Sequence, residues 1–243
     1  MRKAGIKVGL SCITALGCAT AVQFPAGTAD DPGCQKTASF KEFTSGVRKA
    51  GLFTGGPTQY ADVGRRTLAK AVDVGLLPTD TVLDIGAGSL RIGWWLVQYI
   101  EPRNYYAIEP AKKRIDTAAK LLGVEIHTFY NYDFEFPEKN FDFVLARSIW
   151  SHASKAMISK MLSEFAENAS PTGKFLASVY FANEPSSDYE GKDWIDGKRK
   201  HKGKMVVAHS RAWVEAAVAK HGLKMTVSEK LHGQIWVLIE RAS

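Results

Sequence analysis

The chain has 243 residues, of which 45% are hydrophobic, so it is long enough for one domain of ordinary size with a sizeable core. The first 21 residues contain three basic and no acidic side chains, so the formal net charge of +7 falls to 7 − 3 = +4 beyond them, too low for a dedicated nucleic-acid-binding protein. All three cysteines lie at or before Cys34, which excludes a disulfide framework and a thiolate zinc site from the rest of the chain.

Residues 1–29 resemble a secretory signal peptide or an uncleaved membrane anchor. Basic residues precede an uncharged, mostly apolar run, Val8–Val22, whose 15 residues fall short of the roughly 20 that span a bilayer. Small residues permit cleavage after Ala21 or Ala29. We expect this segment to lie outside the folded domain and the polar residues 30–38 to form a linker.

Residues 39–243 are expected to form one domain that begins with two helices. Ser39–Ala50 and Thr58–Val74 carry apolar residues at helical spacing, and a glycine follows each of them. Because both helices precede the first strand, residues 39–77 are expected to form a helical cap beside a ligand. Tyr60 is a candidate for substrate contact there, although a tyrosine in such a helix also suits packing.

From residue 81 the chain alternates between strands and helices. Strands are predicted at Thr81–Ile85, Tyr105–Ile108, Val124–Phe129, Phe141–Ala146 and Lys174–Tyr180. The apolar run Leu90–Ile100 predicts a buried helix, and His127 is expected in the core. The alternation predicts an α/β fold with a doubly wound, mostly parallel, Rossmann-like sheet. Leu223–Leu231 and Gln234–Glu240 add an antiparallel C-terminal hairpin and bring the sheet to seven strands.

Residues 181–208 interrupt this alternation. They are polar and exceed the length of an ordinary connection, so we expect them to form a functional loop on the substrate side. Trp194 in this loop and Trp150 after the fourth strand are candidates for substrate contact. The basic run Lys198–Lys204 suits either a phosphate contact or a solvated loop.

The strongest functional signal is the segment Thr81–Gly93, where an apolar strand runs into the turn Gly86-Ala87-Gly88 and then into an apolar segment. Strand, glycine turn and helix are typical of the entry to a nucleotide-binding unit, because glycine lets the backbone approach a ligand. The alternative is an ordinary glycine-rich turn. Glu109 ends the second strand, 21 residues after Gly88, where a carboxylate can accept hydrogen bonds from both hydroxyls of a ribose.

Other polar residues follow the strands at the same predicted edge. Asp133, after the third strand, can accept a hydrogen bond from adenine or cap a turn. His152, after the fourth strand, can act as a general base or cap the next helix. Arg91 occupies the third position of the pattern G-x-G-x-x-G, which counts against a nicotinamide enzyme. The histidines show no metal-ligand spacing, and no metal is expected.

These motifs together resemble the class I S-adenosylmethionine-dependent methyltransferases over roughly residues 58–243. Val82–Gly88 resembles the first motif of the family, Ala107–Pro110 its second, Phe141–Ala146 its fourth strand and Pro171–Phe175 the turn into its fifth. The closing hairpin is similar to the reversed last strand of the family. One departure is Leu90, which stands where many members have a third glycine.

The resemblance implies a binding site for S-adenosylmethionine. Gly86 and Gly88 would face the methionine end of this cofactor, and Glu109 would bind its ribose. Asp133 would contact the adenine. Because the third glycine is missing, Arg91 becomes a candidate for the methionine carboxylate, or else a surface residue. The implied cofactor-binding set is completed by Asp84, Ala87 and Arg147.

The expected function is transfer of the methyl group to an oxygen or nitrogen nucleophile of a small molecule by in-line displacement, with His152 as the candidate base. The alternatives are RNA methylation on the same fold and a non-catalytic cofactor-binding or scaffold protein. For a methyltransferase of small molecules, no nucleic acid is expected as a partner. A membrane is expected as a partner only through residues 1–29, if they stay uncleaved. Because S-adenosylmethionine is made in the cytoplasm, we expect a cytoplasmic enzyme despite the export-like N-terminus.

Overall fold

The computed structural model describes residues 38–52 and 57–242. The signal-like segment 1–29 and nearly all of the linker 30–38 lie outside these residues. Within the described part of the chain, no helix is long and apolar enough to cross a membrane.

Six α-helices and seven strands make up the described ranges. The helices are α1 (Phe40–Lys49), α2 (Pro57–Asp73), α3 (Gly93–Leu96), α4 (Lys112–Leu122), α5 (Lys155–Asn168) and α6 (Arg211–Lys220). The strands are β1 (Val82–Ile85), β2 (Tyr105–Ile108), β3 (His127–Phe129), β4 (Phe141–Ala146), β5 (Ala169–Val179), β6 (Leu223–Leu231) and β7 (Gln234–Arg241). Two short 3₁₀ helices, Pro102–Asn104 and Pro185–Ser187, complete the set.

The strands form one sheet in the order β3-β2-β1-β4-β5-β7-β6. β1 pairs in parallel with β2 and β4, β3 joins β2 and β5 joins β4 in the same sense, and β7 runs antiparallel to β5 and β6. The predicted seven-stranded, mostly parallel sheet with an antiparallel hairpin is confirmed. Because β2 and β4 lie on opposite sides of β1, the carboxyl ends of β1 and β4 flank the switch point where such sheets bind ligands.

Helices cover both faces of this sheet, which explains why its central strands are apolar throughout. All four residues of β1 are buried. Residues of α1, α2 and α4 pack with Val82 and Tyr105 on one face, and residues of α5 and α6 pack with Leu83 and Val144 on the other. Burial on both faces removes the alternation of polar and apolar residues that a half-exposed strand shows.

The N-terminal helices pack against the sheet's own helices. Ser39 forms a capping box at the start of α1, as its position predicts. α1 lies against α4, and α2 lies against α3 directly after the glycine turn. Of the two N-terminal helices, α2 therefore lies beside the chain that follows β1.

The predicted helix Leu90–Ile100 is wrong in its length, because only Gly93–Leu96 is α-helical and turns flank it. Leu90 takes a left-handed φ of 57°, which interrupts a regular helix. The segment is nevertheless buried, with Leu90, Leu96 and Ile100 at most 4% exposed. Its apolar composition reflects burial against the sheet, and a series of turns can be buried there as well as a helix.

The predicted third strand is also wrong in extent, and its histidine is not in the core. β3 begins at His127 rather than at Val124. His127 is exposed because β3 is an edge strand, and its Nε2 lies 3.0 Å from the carbonyl oxygen of Arg103.

The turn predicted at Pro171–Phe175 lies inside β5. The register jumps at this point, from a pair between Phe141 and Ala169 to a pair between Phe143 and Lys174. β5 therefore has more residues here than β4, and the surplus bulges out of the ladder. A bulge accommodates the proline and glycine that the sequence places in this strand.

The long segment 181–208 packs on the carboxyl side of the sheet. It has a small core of its own, formed by Tyr189, Ile195 and Val207. Lys155 on α5 anchors it through ion pairs with Asp188, at 2.8 Å, and with Glu190. Two backbone hydrogen bonds, from Ile195 N to His152 O and from Val207 N to Ser151 O, tie it to the chain after β4.

Candidate functional site

The glycine turn after β1 is packed on one side and open on the other. Gly86 and Gly88 have φ values of 73° and 61°, which glycine adopts without strain. Gly86 N and Ala87 N both donate to Ile108 O, which ties the turn to β2. A Cβ added to Gly86 would lie 2.1 Å from Ile149 Cδ1, whereas one added to Gly88 would meet nothing nearer than 3.9 Å. A ligand can therefore approach the backbone on the side of Gly88.

The carboxylate of Glu109, at the end of β2, is held on this turn. Its Oε2 accepts a hydrogen bond from Gly88 N, and its Oε1 accepts one from Ala111 N, both at 3.0 Å. Arg114 Nη1 lies 3.7 Å from the same carboxylate. The structure thus brings together the glycine turn and the acid that the sequence separates by 21 residues.

Asp84 lies beneath the turn rather than on its surface. It is 2% exposed, and its Oδ2 accepts a hydrogen bond of 2.7 Å from the hydroxyl of Tyr105. Burial raises the pKa of Asp84 to about 7; the negative charge of Glu109 adds to this rise, while the Tyr105 hydrogen bond opposes it. The cofactor contact predicted for Asp84 has no support in this position.

Tyr60 on α2 also lies beneath the chain that follows the turn. It is fully buried, and its hydroxyl donates to Ser89 O at 2.9 Å. The guanidinium carbon of Arg91 lies 5.9 Å from the centre of the Tyr60 ring. A side chain with no exposed surface has no face to offer a substrate, so in this conformation Tyr60 supports the turn instead.

Arg147 directly follows β4 and is held there by a polar network. The next residue, Ser148, has a left-handed φ of 58°. Its N–H donates to Ser178 Oγ at 2.7 Å, and its Oγ accepts from Gln234 Nε2 at 2.6 Å. Ser178 Oγ in turn donates to Gln234 Oε1. Three strands, β4, β5 and β7, thus fix the backbone that presents Arg147.

His152 lies between the chain after β4 and the long loop. Its Nδ1 is 2.6 Å from the carbonyl oxygen of Ile195, and its ring stacks on Trp194 with centroids 5.4 Å apart. The ring of Phe134 also lies near Trp194, at 6.4 Å between centroids. The structure therefore brings together the candidate base His152 and the candidate substrate contact Trp194, although 42 residues separate them.

The two remaining predicted residues take positions apart from the turn. Trp150 is fully buried and packs edge-on against Phe175, so it has no face toward a substrate in this conformation. Asp133 is exposed, and its Oδ1 accepts hydrogen bonds from Asn131 Nδ2 and Glu135 N, at 3.0 and 3.1 Å. These bonds are those of a turn cap, and the adenine contact stays a prediction.

Four residues that position the site were not predicted: Tyr105, Ser89, Ser178 and Gln234. Tyr105 and Ser178 are fully buried in their strands, where a hydroxyl must find a partner. A polar residue inside an apolar strand is a visible signal in the sequence. The identity of its partner is not, because it comes from another strand.

Comparisons with known proteins agree with this geometry. A family model described as a methyltransferase domain matches residues 82–173. The structure of magnesium protoporphyrin IX methyltransferase from Synechocystis PCC 6803 with bound SAH is 16% identical, with a TM-score of 0.58, and the match covers 84% of this chain and 97% of that one. A sugar N-methyltransferase from Streptoalloteichus sp. ATCC 53650 is 15% identical, with a TM-score of 0.55 and coverage of 90% and 98%. At these identities the structures establish the fold.

Proposed function

We propose that this chain, a class I methyltransferase by its fold and by its central domain, transfers a methyl group from S-adenosylmethionine to an oxygen or nitrogen atom of a small-molecule acceptor. One observation carries the proposal: the carboxylate of Glu109 is held on an open glycine turn at the switch point of the sheet. Structures with this fold include complexes with SAH and SAM, and two of these proteins are named as methyltransferases of a porphyrin and of a sugar. These names support a small-molecule acceptor.

The residues around the turn fit this cofactor. The open side of Gly88 gives access to the backbone, and the Glu109 carboxylate has lone pairs left for the two ribose hydroxyls. Arg91, three residues beyond Gly88, is the candidate for the methionine carboxylate. When bound, S-adenosylmethionine supplies a methyl group that its sulfonium already activates. The main task of the chain is then to orient the acceptor and exclude water.

We assign proton acceptance from the acceptor to His152. The carbonyl oxygen of Ile195 can only accept a hydrogen bond, so the proton of a neutral His152 is on Nδ1 and Nε2 keeps its lone pair. Stacking on Trp194 holds the ring in this orientation. An acceptor O–H or N–H that keeps its proton at neutral pH would transfer it to Nε2.

RNA methylation has less support from the basic run in the long loop. Arg199 Nη1 lies 2.5 Å from Asp193 Oδ1, and Lys202 Nζ donates to Ser186 O at 2.6 Å. Two of these cations are therefore engaged within the loop itself. A steep loss of RNA affinity with rising salt, measured on the full chain, would favour the RNA alternative.

Turnover by the full chain tests the proposal. The measurement is release of S-adenosylhomocysteine from S-adenosylmethionine with a panel of phenols, amines, sugars and carboxylic acids. His152→Gln is expected to lower kcat about 100-fold or more and to leave S-adenosylhomocysteine affinity unchanged. His221→Gln, at the end of α6, is the matched control and should retain full activity. A chain that binds S-adenosylmethionine but methylates no acceptor would instead be a non-catalytic cofactor-binding protein.

A further inference from the structure

Two arginines lie at the same edge of the sheet as the glycine turn. Arg147 directly follows β4, and Arg91 follows the turn after β1. β1 and β4 are neighbours in parallel, with Asp84 paired to Leu145, so both arginines leave the sheet at its carboxyl edge. Burial lowers the pKa of Arg147, and the positive charge of Arg91 lowers it further, as expected for neighbouring guanidinium groups.

Neither guanidinium has a carboxylate partner among residues 38–52 and 57–242. No aspartate or glutamate in these ranges lies within the 4.0 Å of an ion pair with Arg91 or Arg147. Both side chains are partly buried, and burial, followed by repulsion from Arg91, lowers the pKa of Arg147 to about 10. Arg147 is therefore charged at neutral pH, and Arg91 carries the permanent charge of an arginine side chain. A partly buried pair of like charges is unfavourable, so an anion that binds beside it is stabilised.

The backbone beside Arg147 is held in place without a ligand. The hydrogen bonds that Ser148 makes to Ser178 and Gln234 hold the adjoining backbone between three strands. A side chain on a backbone held in this way binds an anion without the added cost of ordering that backbone. Arg147 thus differs from the exposed arginines of the chain, such as Arg211, which is 60% exposed and pairs with Glu215.

Other groups at this edge do not supply the missing negative charge. Asp62 on α2 is engaged with two arginines of its own helix, at 3.0 and 3.2 Å. His232, in the turn between β6 and β7, lies 3.7 Å from Asp62, and its Nε2 is buried without a hydrogen-bond partner. Burial lowers the pKa of His232, and the charges of Arg147 and Arg91 lower it further, against the effect of Asp62. Neither Asp62 nor His232 therefore forms an ion pair with either guanidinium group, and the Glu109 carboxylate at the same edge is bound to the backbone of Gly88 and Ala111.

We propose that Arg147 binds a carboxylate or phosphate group of the acceptor, while Arg91 binds the carboxylate of the methyl donor, so that this chain methylates an anionic small molecule. The inference rests on the proposed function. S-adenosylmethionine has one carboxylate and a positive sulfonium, so it can neutralise only one of the two guanidinium groups. The planar fork of Arg147 matches either anion through two parallel hydrogen bonds.

Calorimetric titration of the full chain, saturated with S-adenosylhomocysteine at low ionic strength, tests this inference. The probes are benzoate, phenyl phosphate and the neutral benzamide, which distinguish a carboxylate from a phosphate and both from an uncharged ring. At least one anion is expected to bind, with benzamide at least about tenfold weaker. Rising sodium chloride should weaken anion binding.

Variants assign the effect to one side chain. The family resemblance implies a cofactor contact for Arg147, whereas this inference expects Arg147→Met to weaken anion binding about tenfold or more and to leave S-adenosylhomocysteine affinity unchanged. Arg147→Lys should retain part of the anion affinity. Arg211→Met removes the same charge from the surface and should bind like the wild type.

The outcomes separate this inference from the proposed function. Failure to bind S-adenosylhomocysteine would overturn both. Binding of S-adenosylhomocysteine without any anion, equal binding of benzamide, or unchanged anion affinity in Arg147→Met would overturn the inference alone. Loss of S-adenosylhomocysteine affinity in Arg147→Met, with anion binding kept, would reassign Arg147 to the cofactor.

Discussion

Asp84 offers a test of the packing beneath the glycine turn that needs no ligand. Burial raises the pKa of its carboxyl to about 7, against 3.8 for an exposed aspartate. The folded state therefore binds more protons than the unfolded state between about pH 4 and pH 7. The free energy of unfolding is therefore largest near pH 4 and falls as the pH rises toward 7, because the Asp84 carboxyl ionises freely in the unfolded state but not in the folded state.

The magnitude follows from the width of the window. Between pH 5 and pH 8, the free energy of unfolding falls only over the roughly two pH units from pH 5 to the pKa of the folded state. At about 1.4 kcal/mol per pH unit, this fall amounts to about 3 kcal/mol. Asp84→Asn cannot ionise and keeps an oxygen that accepts from the Tyr105 hydroxyl. The free energy of unfolding of Asp84→Asn, relative to the wild type, should therefore rise by about 3 kcal/mol from pH 5 to pH 8.

Urea denaturation followed by tryptophan fluorescence at both pH values measures this difference. Asp73→Asn removes an exposed carboxyl at the end of α2 and serves as the control, since its stability should follow that of the wild type. If Asp84→Asn and the wild type changed in parallel with pH, the carboxyl would be ionised in the folded chain. The burial of Asp84 beneath the turn would then be refuted.

Three further changes test the site. Gly86→Ala should destabilise the chain by about 1–3 kcal/mol more than Gly222→Ala. Both glycines have a positive φ, but only at position 86 would the added Cβ meet Ile149. Equal losses of stability in urea denaturation would disprove the clash. Ser178→Ala should cost about 1–3 kcal/mol and lower the turnover rate, since it leaves buried polar groups unpaired; unchanged stability and rate would count against the network. Tyr60→Phe should weaken S-adenosylhomocysteine binding a few-fold by releasing the turn, and full affinity in calorimetry would contradict that role.

The sheet was predictable from the sequence because its signals are local. Short apolar strands separated by helical patterns, with the closing hairpin at His232, give the topology without knowledge of long-range contacts. The segment Leu90–Ile100 shows the limit of such signals. Burial selects apolar residues whether the backbone forms a helix or turns, so composition alone could not reveal the left-handed Leu90.

A residue of the candidate site was predictable where its type and its place at the end of a single strand are enough to identify it. Gly88 and Glu109 belong to this class, and the structure brings them into contact. Tyr60 and Trp150 are buried, and a substrate contact for either stays a prediction, because an aromatic residue near a ligand edge and one in the core look alike in sequence. The hydrogen bonds that fix the backbone next to Arg147 were not predictable, because they depend on side chains contributed by two other strands.

The most direct measurement is calorimetric binding of S-adenosylmethionine, S-adenosylhomocysteine and NAD to the full chain, with Glu109→Gln as the test variant. The matched control is Glu101→Gln, which changes an exposed glutamate shortly before the start of β2. Micromolar binding of the first two ligands, lost in Glu109→Gln and kept in Glu101→Gln, is the expected result. Binding of NAD alone, or equal binding by both variants, would contradict a methyl-donor site built on the glycine turn and Glu109.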